Sequence, residues 1–340
     1  MVVLGIETSC DETAVAVLVD GATLSSVVSS HWLHGRYGGV VPELASRAHL
    51  QLLPMMAAQV FESTRLDLKD IDAVAVTRGP GLIGSLLVGI SFAKSIAFAC
   101  GKPIIGVNHL EGHLWSLKLK HPEVEPPFLS LLVSGGHTLL IGVDGFGRYR
   151  WIGGTRDDAA GEAFDKVAVL CGLGYPGGAE VEKRAAKGDP GFHPFPVGMH
   201  GQTGYDFSFS GLKTAVANFI RRQPDVLNSH REDLLASFQQ AAITSLLEPT
   251  MRAMDNFGYR ILALSGGVAA NAGLRRRLEE DVRRRGGRFI YPGLDLCTDN
   301  AAMIAWVGWR RLLNGERDGY GMSGEANLPV AEIAEQVMIR

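Results

Sequence analysis

Val2-Val3-Leu4-Gly5-Ile6-Glu7-Thr8-Ser9-Cys10-Asp11-Glu12-Thr13-Ala14-Val15-Ala16-Val17-Leu18-Val19 opens the chain. Its pattern returns at Phe128-Leu129-Ser130-Leu131-Leu132-Val133-Ser134-Gly135-Gly136-His137-Thr138-Leu139-Leu140-Ile141-Gly142-Val143. Each stretch is an apolar run, a polar turn and a second apolar run. The expected elements are strands over 2–6, 13–19, 128–133 and 139–143. A turn rich in hydroxyls, carboxylates or glycines at the tip of two strands suits a phosphate or a metal–phosphate group. A plain hairpin with a polar turn has the same pattern. The recurrence is an internal repeat, which makes the chain two related α/β halves with a boundary near residue 107.

Composition sets the outer bounds. At 340 residues the chain exceeds one small core, and two domains are expected. The apolar share of 46%, charged share of 20% and mean hydropathy of +0.10 describe an ordinary globular protein. A net charge of -3 gives no bulk attraction to nucleic acid, so any RNA contact needs a local basic patch. Cys10, Cys100, Cys171 and Cys297 are scattered without a C-x-x-C pair, which fits buried thiols in a reducing compartment. No signal peptide is expected before the first strand. The run from Leu82 to Cys100 carries Lys94, serines and glycines, so a buried amphipathic helix is expected and not a membrane span. The expected location is the cytoplasm.

Between the repeats, Pro42 suits the first turn of a helix over 42–62. A strand over 71–77 leads through Gly79-Pro80-Gly81-Leu82-Ile83-Gly84 into a helix ending near Ala99. The glycine spacing matches a dinucleotide fingerprint. It falls on a later strand, however, and no acid ends the next strand, 103–107. Tight turning and close helix packing are the expected roles of these glycines. In the second half, Asp157 and Asp158 are expected in the first turn of a helix over 157–166. Residues 188–211 read as an extended aromatic loop, with Ser210 as the cap of the next helix. A long helix over 231–256 and a strand over 260–264 follow. Next come the turn Ser265-Gly266-Gly267 and a helix carrying Arg275 to Arg277 and Arg283 to Arg285. Those arginines alternate with acids, so they form either a solvated mixed-charge face or an RNA-facing patch. Thr298-Asp299-Asn300 caps the last helix, 300–314.

His109-Leu110-Glu111-Gly112-His113 carries the clearest chemistry. Histidines four apart share a helix face, with Cβ atoms about 6 Å apart, which suits two imidazoles on one metal ion. Two core or surface histidines would have the same spacing. Glu111 lies two residues from each histidine and points off their face. In the H-E-x-x-H of zinc proteases the glutamate follows a ligand directly and reaches the metal-bound water. Glu111 lacks that placement, which argues against a metalloprotease.

Several motifs occur in one order: Gly5-Ile6-Glu7-Thr8-Ser9-Cys10-Asp11-Glu12-Thr13, Gly38-Gly39-Val40-Val41-Pro42-Glu43, the histidine pair, Leu132-Val133-Ser134-Gly135-Gly136-His137-Thr138, Asp206-Phe207-Ser208-Phe209-Ser210-Gly211-Leu212-Lys213 and Cys297-Thr298-Asp299-Asn300. Together they resemble the universal tRNA threonylcarbamoyladenosine transferases, the bacterial TsaD type, over nearly the whole chain. The resemblance implies an α/β fold of two actin-like lobes, the ASKHA architecture of sugar kinases and Hsp70, with a duplicated core and an interlobe cleft. On that reading residues 1–107 with about 300–340 form the first lobe. Residues 108–299 form the second, with the histidine helix and the inserted 188–211 loop.

The activity implied is transfer of a threonylcarbamoyl group from threonylcarbamoyl-AMP to N6 of adenosine 37, just 3′ of the anticodon, in tRNAs reading ANN codons. AMP is released. The resemblance also implies one divalent metal, iron(II) or zinc, on His109, His113 and Asp299. It places Asp165, Gly178 and Asn271 in the adenylate pocket. The turn over Leu132, Val133, Ser134, Gly135 and Gly136 is expected to hold the donor phosphate. Glu12 is the candidate general base, with Asp11 beside it. The implied partners are an inactive paralogue of the TsaB type and an ATPase of the TsaE type, met through the apolar helices 42–62 and 82–99. A small-molecule kinase would share the fold but has no use for the histidine pair. A non-enzymatic binding subunit would have degraded motifs, and here they are intact.

Overall fold

The computed structural model describes residues 1–30 and 39–330. Gly38 and the last stretch of the expected first lobe, 331–340, lie outside the described residues. The chain divides into two compact units. Among the described residues, one is Met1–Val124 with residues 298–330, and the other is Glu125–Cys297.

The first unit is built on a five-stranded sheet in the order β3-β2-β1-β4-β5. β1 (Val2–Glu7), β2 (Glu12–Val19) and β3 (Ala22–Ser30) form an antiparallel meander. β4 (Ala73–Gly79) and β5 (Ile104–Asn108) add in parallel on the other side of β1. β1 and β4 read as nearly unbroken apolar runs because helices cover both faces of the sheet. α1 (Pro42–Thr64) and α2 (Ile83–Cys100) pack Leu53, Met56, Val60, Leu86 and Ile90 against Leu4, Ile6, Val15 and Val17. By length and composition α2 could cross a membrane, but Leu86, Ile90, Ala93, Ile96 and Ala97 are buried in this core.

α10 (Ala301–Leu313) covers the opposite face, close to the strands. A Cβ on Gly5 would lie 2.4 Å from the Ala301 carbonyl oxygen, and one on Gly308 would lie 2.4 Å from the Ala75 Cβ. Small residues at these crossings therefore let the start of α10 reach the end of β1. α3 (His109–Trp115) follows β5 directly and packs on α10, where a Cβ on Gly112 would touch Ile304 and Met303. The histidine helix thus belongs with the first unit, not with the second as the motif spacing suggests. The boundary falls after Val124 because α3 and the short turn behind it are covered by α10.

The second unit repeats the plan in the order β8-β7-β6-β9-β10. β6 (Phe128–Val133), β7 (Thr138–Gly145) and β8 (Arg148–Gly154) form the meander, and β9 (Ile261–Ser265) and β10 (Arg288–Ile290) add in parallel. Its helices are α4 (Ala160–Leu170), α5 (Gly178–Ala185), α6 (Ser210–Arg222), α7 (Val226–Ser229), α8 (Arg231–Phe257) and α9 (Ala272–Arg284). The duplicated core is therefore present strand for strand.

Two local expectations are corrected. Asp157 and Asp158 precede α4, whose first-turn acid is Glu162. Asp157 instead accepts hydrogen bonds from Ser208 Oγ and from the amides of Phe209 and Ser210, so it closes the start of α6. Ser210 makes no side-chain cap, because that role is filled from 53 residues away. The glycines from 79 to 84 allow close packing, as expected. A Cβ on Gly79 would meet the Glu325 carbonyl oxygen, one on Gly81 the Ser9 carbonyl oxygen, and one on Gly84 the Ser46 hydroxyl.

Candidate metal centre and phosphate turns

In the first unit, Asn108 ends β5 and caps α3, its side chain accepting from the amides of Leu110 and Glu111 at 2.9 and 3.3 Å. This starts the helix at His109 and puts His113 one turn on. Their ring centroids are 4.7 Å apart at 90°. Asn300 caps α10 in the same way, accepting from the Met303 amide. Asp299, just before it, faces both imidazoles: its Oδ1 lies 3.0 Å from His113 Nε2 and 3.5 Å from His109 Nε2. The three ligand atoms lie within 4.8 Å of one another, so two imidazoles and a carboxylate can share one cation.

The surroundings orient this set. Glu7, fully buried at the end of β1, places Oε2 3.0 Å from His109 Nδ1 and accepts from Thr77 Oγ1 at 2.6 Å. Its Oε1 accepts from the Ser9 amide at 2.5 Å, and Ser9 Oγ is 3.2 Å from His109 Nδ1. A carboxylate on Nδ1 leaves Nε2 turned toward Asp299, the arrangement that supports a histidine when it binds a metal. Burial works against the Glu7 charge, but the charge and hydrogen bond of His109 outweigh it and hold the carboxyl below its ordinary range. Burial likewise opposes a charge on His109. The charges of Asp299 and Glu7 prevail and raise it to about 9. Glu111 has no place in the cluster. It is fully buried and takes Arg311 Nε at 3.0 Å and Nη2 at 2.6 Å on one oxygen, tying α3 to α10.

Asp11 and Glu12 sit in the same turn, at the start of β2. Glu12 is pushed up to about 10, by burial first and then by the charges of Asp299 and Asp11 and a hydrogen bond to Asp11. Burial and the neighbouring Asp11 also keep the Cys10 thiol protonated. Glu7 and Ser9 were within a quoted motif, yet sequence reasoning gave them no role. The available signal was an acid closing an otherwise apolar strand.

In the second unit the turn after β6 is closed on itself. The Ser134 amide donates to the His137 carbonyl at 2.7 Å, and the His137 amide donates to Ser134 Oγ at 3.0 Å. Gly135 and Gly136 have nothing within 4 Å of where a Cβ would stand, so a ligand can approach their backbone closely. The turn after β9 lies against it: Gly266, at φ +89°, would drive a Cβ to 2.4 Å from the Val133 carbonyl oxygen. Asn271 caps α9, accepting from Leu274 N at 2.9 Å, and donates to Gln239 Oε1 at 2.8 Å. Asp165 Oδ1 accepts from the amides of Gly177 and Gly178 at 2.8 and 3.2 Å, so these expected pocket residues are joined through one turn.

The basic stretch at the end of α9 carries local ion pairs. Arg283 pairs with Glu279, Arg284 with Asp281 and Arg285 with Asp255, while Arg275 donates to the Ala269 carbonyl.

A duplicated five-stranded α/β plan with helices on both faces defines the actin-like, or ASKHA, class. Solved structures agree at the level of fold. Full-length HypF in its phosphate- and nucleotide-bound form matches with a TM-score of 0.60 at 14% identity, over 92% of this chain and 55% of that one. Component A of the Acidaminococcus fermentans (R)-2-hydroxyglutaryl-CoA dehydratase matches with a TM-score of 0.56 at 15% identity, over 92% and 99%. Within that class the chain belongs to the tRNA N6-adenosine threonylcarbamoyltransferase family, whose model matches residues 22–306. Proteins of that name from Symbiobacterium thermophilum and Kosmotoga olearia are 52% and 48% identical to it. The first match covers 90% of each chain, and the second covers 93% of this chain and 94% of the other. The chain is thus a transferase of tRNA modification.

Proposed function

We propose that this transferase uses threonylcarbamoyl-AMP as donor and N6 of adenosine 37 in tRNAs reading ANN codons as acceptor. The observation that carries the reading is the convergence of His109 Nε2, His113 Nε2 and Asp299 Oδ1, with Glu7 behind His109, in a member of this family. These three residues would hold one divalent cation, iron(II) by preference or zinc. When bound, the cation supplies Lewis-acid polarisation of a donor oxygen. Glu7 accepts the Nδ1 proton of His109 and so keeps its Nε2 lone pair directed at the ligand position.

AMP is already a good leaving group, so the difficulty lies with the acceptor, a weakly nucleophilic adenine amine. N6 attacks the carbamoyl carbon, the bond from that carbon to the phosphate oxygen breaks, and AMP leaves with the electron pair. The N6 proton passes to the Glu12 carboxylate, with Asp11 beside it. Burial and the charges of Asp299 and Asp11 displace Glu12 upward and favour its protonated form; a cation held by His109, His113 and Asp299 would oppose those charges and favour the carboxylate that takes the proton. In the second unit, the backbone over Leu132, Val133, Ser134, Gly135 and Gly136 would bind the phosphate. Asp165, Gly178 and Asn271 would shape the adenylate pocket. Holding both reactants in place supplies much of the remaining acceleration.

The outer faces of α1 and α2 expose Leu50, Met55, Ile83 and Leu87 beside an open apolar groove of about 540 Å³. We assign this face to the inactive TsaB-type paralogue, with a TsaE-type ATPase completing the assembly in the cytoplasm. The deciding experiment is His109→Ala, with metal content and transfer measured together. Both should be lost. Full transfer with no metal bound would sink the Lewis-acid role, and release of ADP from ATP in place of AMP from the adenylate would sink the donor assignment.

A further inference from the structure

We propose that His49, in the middle of α1, is a positioning residue for transfer: its ring clamps the stretch from Cys10 to Thr13 and so sets where Asp11 and Glu12 stand. His49 is fully buried. Its Nε2 lies 2.9 Å from the Cys10 carbonyl oxygen, and its Nδ1 lies 2.7 Å from Thr13 Oγ1. A carbonyl oxygen only accepts, so Nε2 carries the proton and donates. In the neutral ring Nδ1 then accepts from the Thr13 hydroxyl. One tautomer and one ring orientation satisfy both bonds, and their two anchor points bracket the pair of acids.

The rest of the turn is tied elsewhere. Thr8 Oγ1 donates to the Ser85 carbonyl at 2.9 Å, and the Leu82 amide donates to the Ser9 carbonyl at 2.8 Å, which fixes residues 8 and 9 to α2 and its approach. His49 gives residues 10 to 13 the corresponding tie to α1. Packing does not call for a histidine here. The other buried positions of α1 are Ala45, Leu53, Met56, Ala57 and Val60, and an apolar side chain of similar size would complete that stripe without burying two polar nitrogens. The imidazole is matched to the turn it holds.

The inference rests on the reading that Asp11 and Glu12 serve transfer, and the test separates the two. His49→Leu, His49→Gln, Thr13→Val and Glu12→Ala are made in the full chain and assayed with its partner proteins. Single-turnover transfer from threonylcarbamoyl-AMP to tRNA is measured beside donor affinity, metal content and thermal unfolding. For His49→Leu the single-turnover rate should fall on the order of 100-fold, the scale set by misplacing a reacting group by about 1 Å, with donor affinity and metal content retained. His49→Gln, whose amide can still donate to the Cys10 carbonyl, should recover part of the loss. Thr13→Val removes one anchor without emptying the site and should lose rate in the same sense, so the idea stays testable if His49→Leu fails to fold. An unchanged rate in Thr13→Val and in whichever His49 variants fold overturns the proposal. So does a loss of rate that only follows loss of metal and of cooperative unfolding. Slow His49→Leu with full-rate Glu12→Ala keeps the clamp, acting through Asp11, and removes Glu12 from the chemistry. The converse result removes the clamp alone.

Discussion

Replacing Glu7 by glutamine isolates what the buried carboxylate does for His109. Glu7 accepts on both oxygens: Oε1 from the Ser9 amide, and Oε2 from Thr77 Oγ1 and from the His109 Nδ1 side. Glutamine keeps one acceptor oxygen and turns the other position into a donor. If the amide oxygen takes the Ser9 side, the NH₂ group meets His109 Nδ1, which must then accept. The ring proton moves to Nε2, and the nitrogen facing Asp299 loses its lone pair. If the amide flips, the NH₂ group opposes the Ser9 N–H inside a fully buried site. One arrangement spoils the metal-facing nitrogen, and the other leaves donors facing donors, at about 1–3 kcal/mol for an unmet buried group. Removing such an outer partner weakens metal binding by about 10- to 100-fold, or about 1.4–2.7 kcal/mol. Competition against a chelator of known affinity measures this directly, and thermal unfolding of the metal-free protein measures the second penalty. Metal affinity within about twofold of the unaltered chain, with unchanged unfolding, would refute the argument that Glu7 sets the His109 tautomer.

Arg311→Met should cost about 3–5 kcal/mol in denaturant unfolding, because Glu111 is left as a buried charge without its guanidinium; a loss below about 1 kcal/mol would show that the pair does not fasten α3 to α10. Burial raises the Asp158 carboxyl, but hydrogen bonds from Lys213 and Lys166 prevail and hold it below its ordinary value of 3.8. Its contribution is therefore present above that value and lost as pH falls through the lower folded-state value, so Asp158→Asn should be about 1 kcal/mol less stable near neutral pH, with the gap closing in acid when unfolding is followed against pH. Leu50→Glu, on a side chain that is 67% exposed, should leave the melting temperature of the isolated chain unchanged and weaken capture of the paralogue in a two-component titration.

The central strands were legible because burial on both faces forces an apolar run, as in Leu4 to Ile6 and Leu129 to Val133. The edge strands β3 and β8 were not. β3 carries Ser25, Ser26 and Ser29, and β8 has the glycines 153 and 154 and an exposed Trp151, so neither shows the run that marks a central strand. The boundary at 107 failed for a different reason. β5 ends where α3 begins, with Asn108 serving both, and the chain looks as if it starts afresh there. What assigns α3 to the first unit is α10, nearly two hundred residues later, and only small residues along α10 and β1 hint at that contact. Asp157 hid in the same way, since a helix start can be capped by any carboxylate that the fold brings near it.

The candidate site divides along the same line. The two histidines share one helix, so local spacing suffices to pair them. Asp299 was found only because the chain resembles a family. Glu7, His49 and Glu111 share a property that spacing does not express. Each is a fully buried ionisable residue on the core-facing side of its element, and each meets partners far along the chain: His109 and Thr77 for Glu7, Thr13 and the Cys10 carbonyl for His49, Arg311 for Glu111. Burying such a group without a partner is costly, so its place in the apolar stripe already requires that a partner exist. That requirement can be read from sequence alone. The partner's identity cannot, because it depends on how β1, α1 and α10 converge on the turn after β1. The three residues divide the work there: Glu7 orients His109, Glu111 fastens the helix that carries it, and His49 holds the stretch from Cys10 to Thr13.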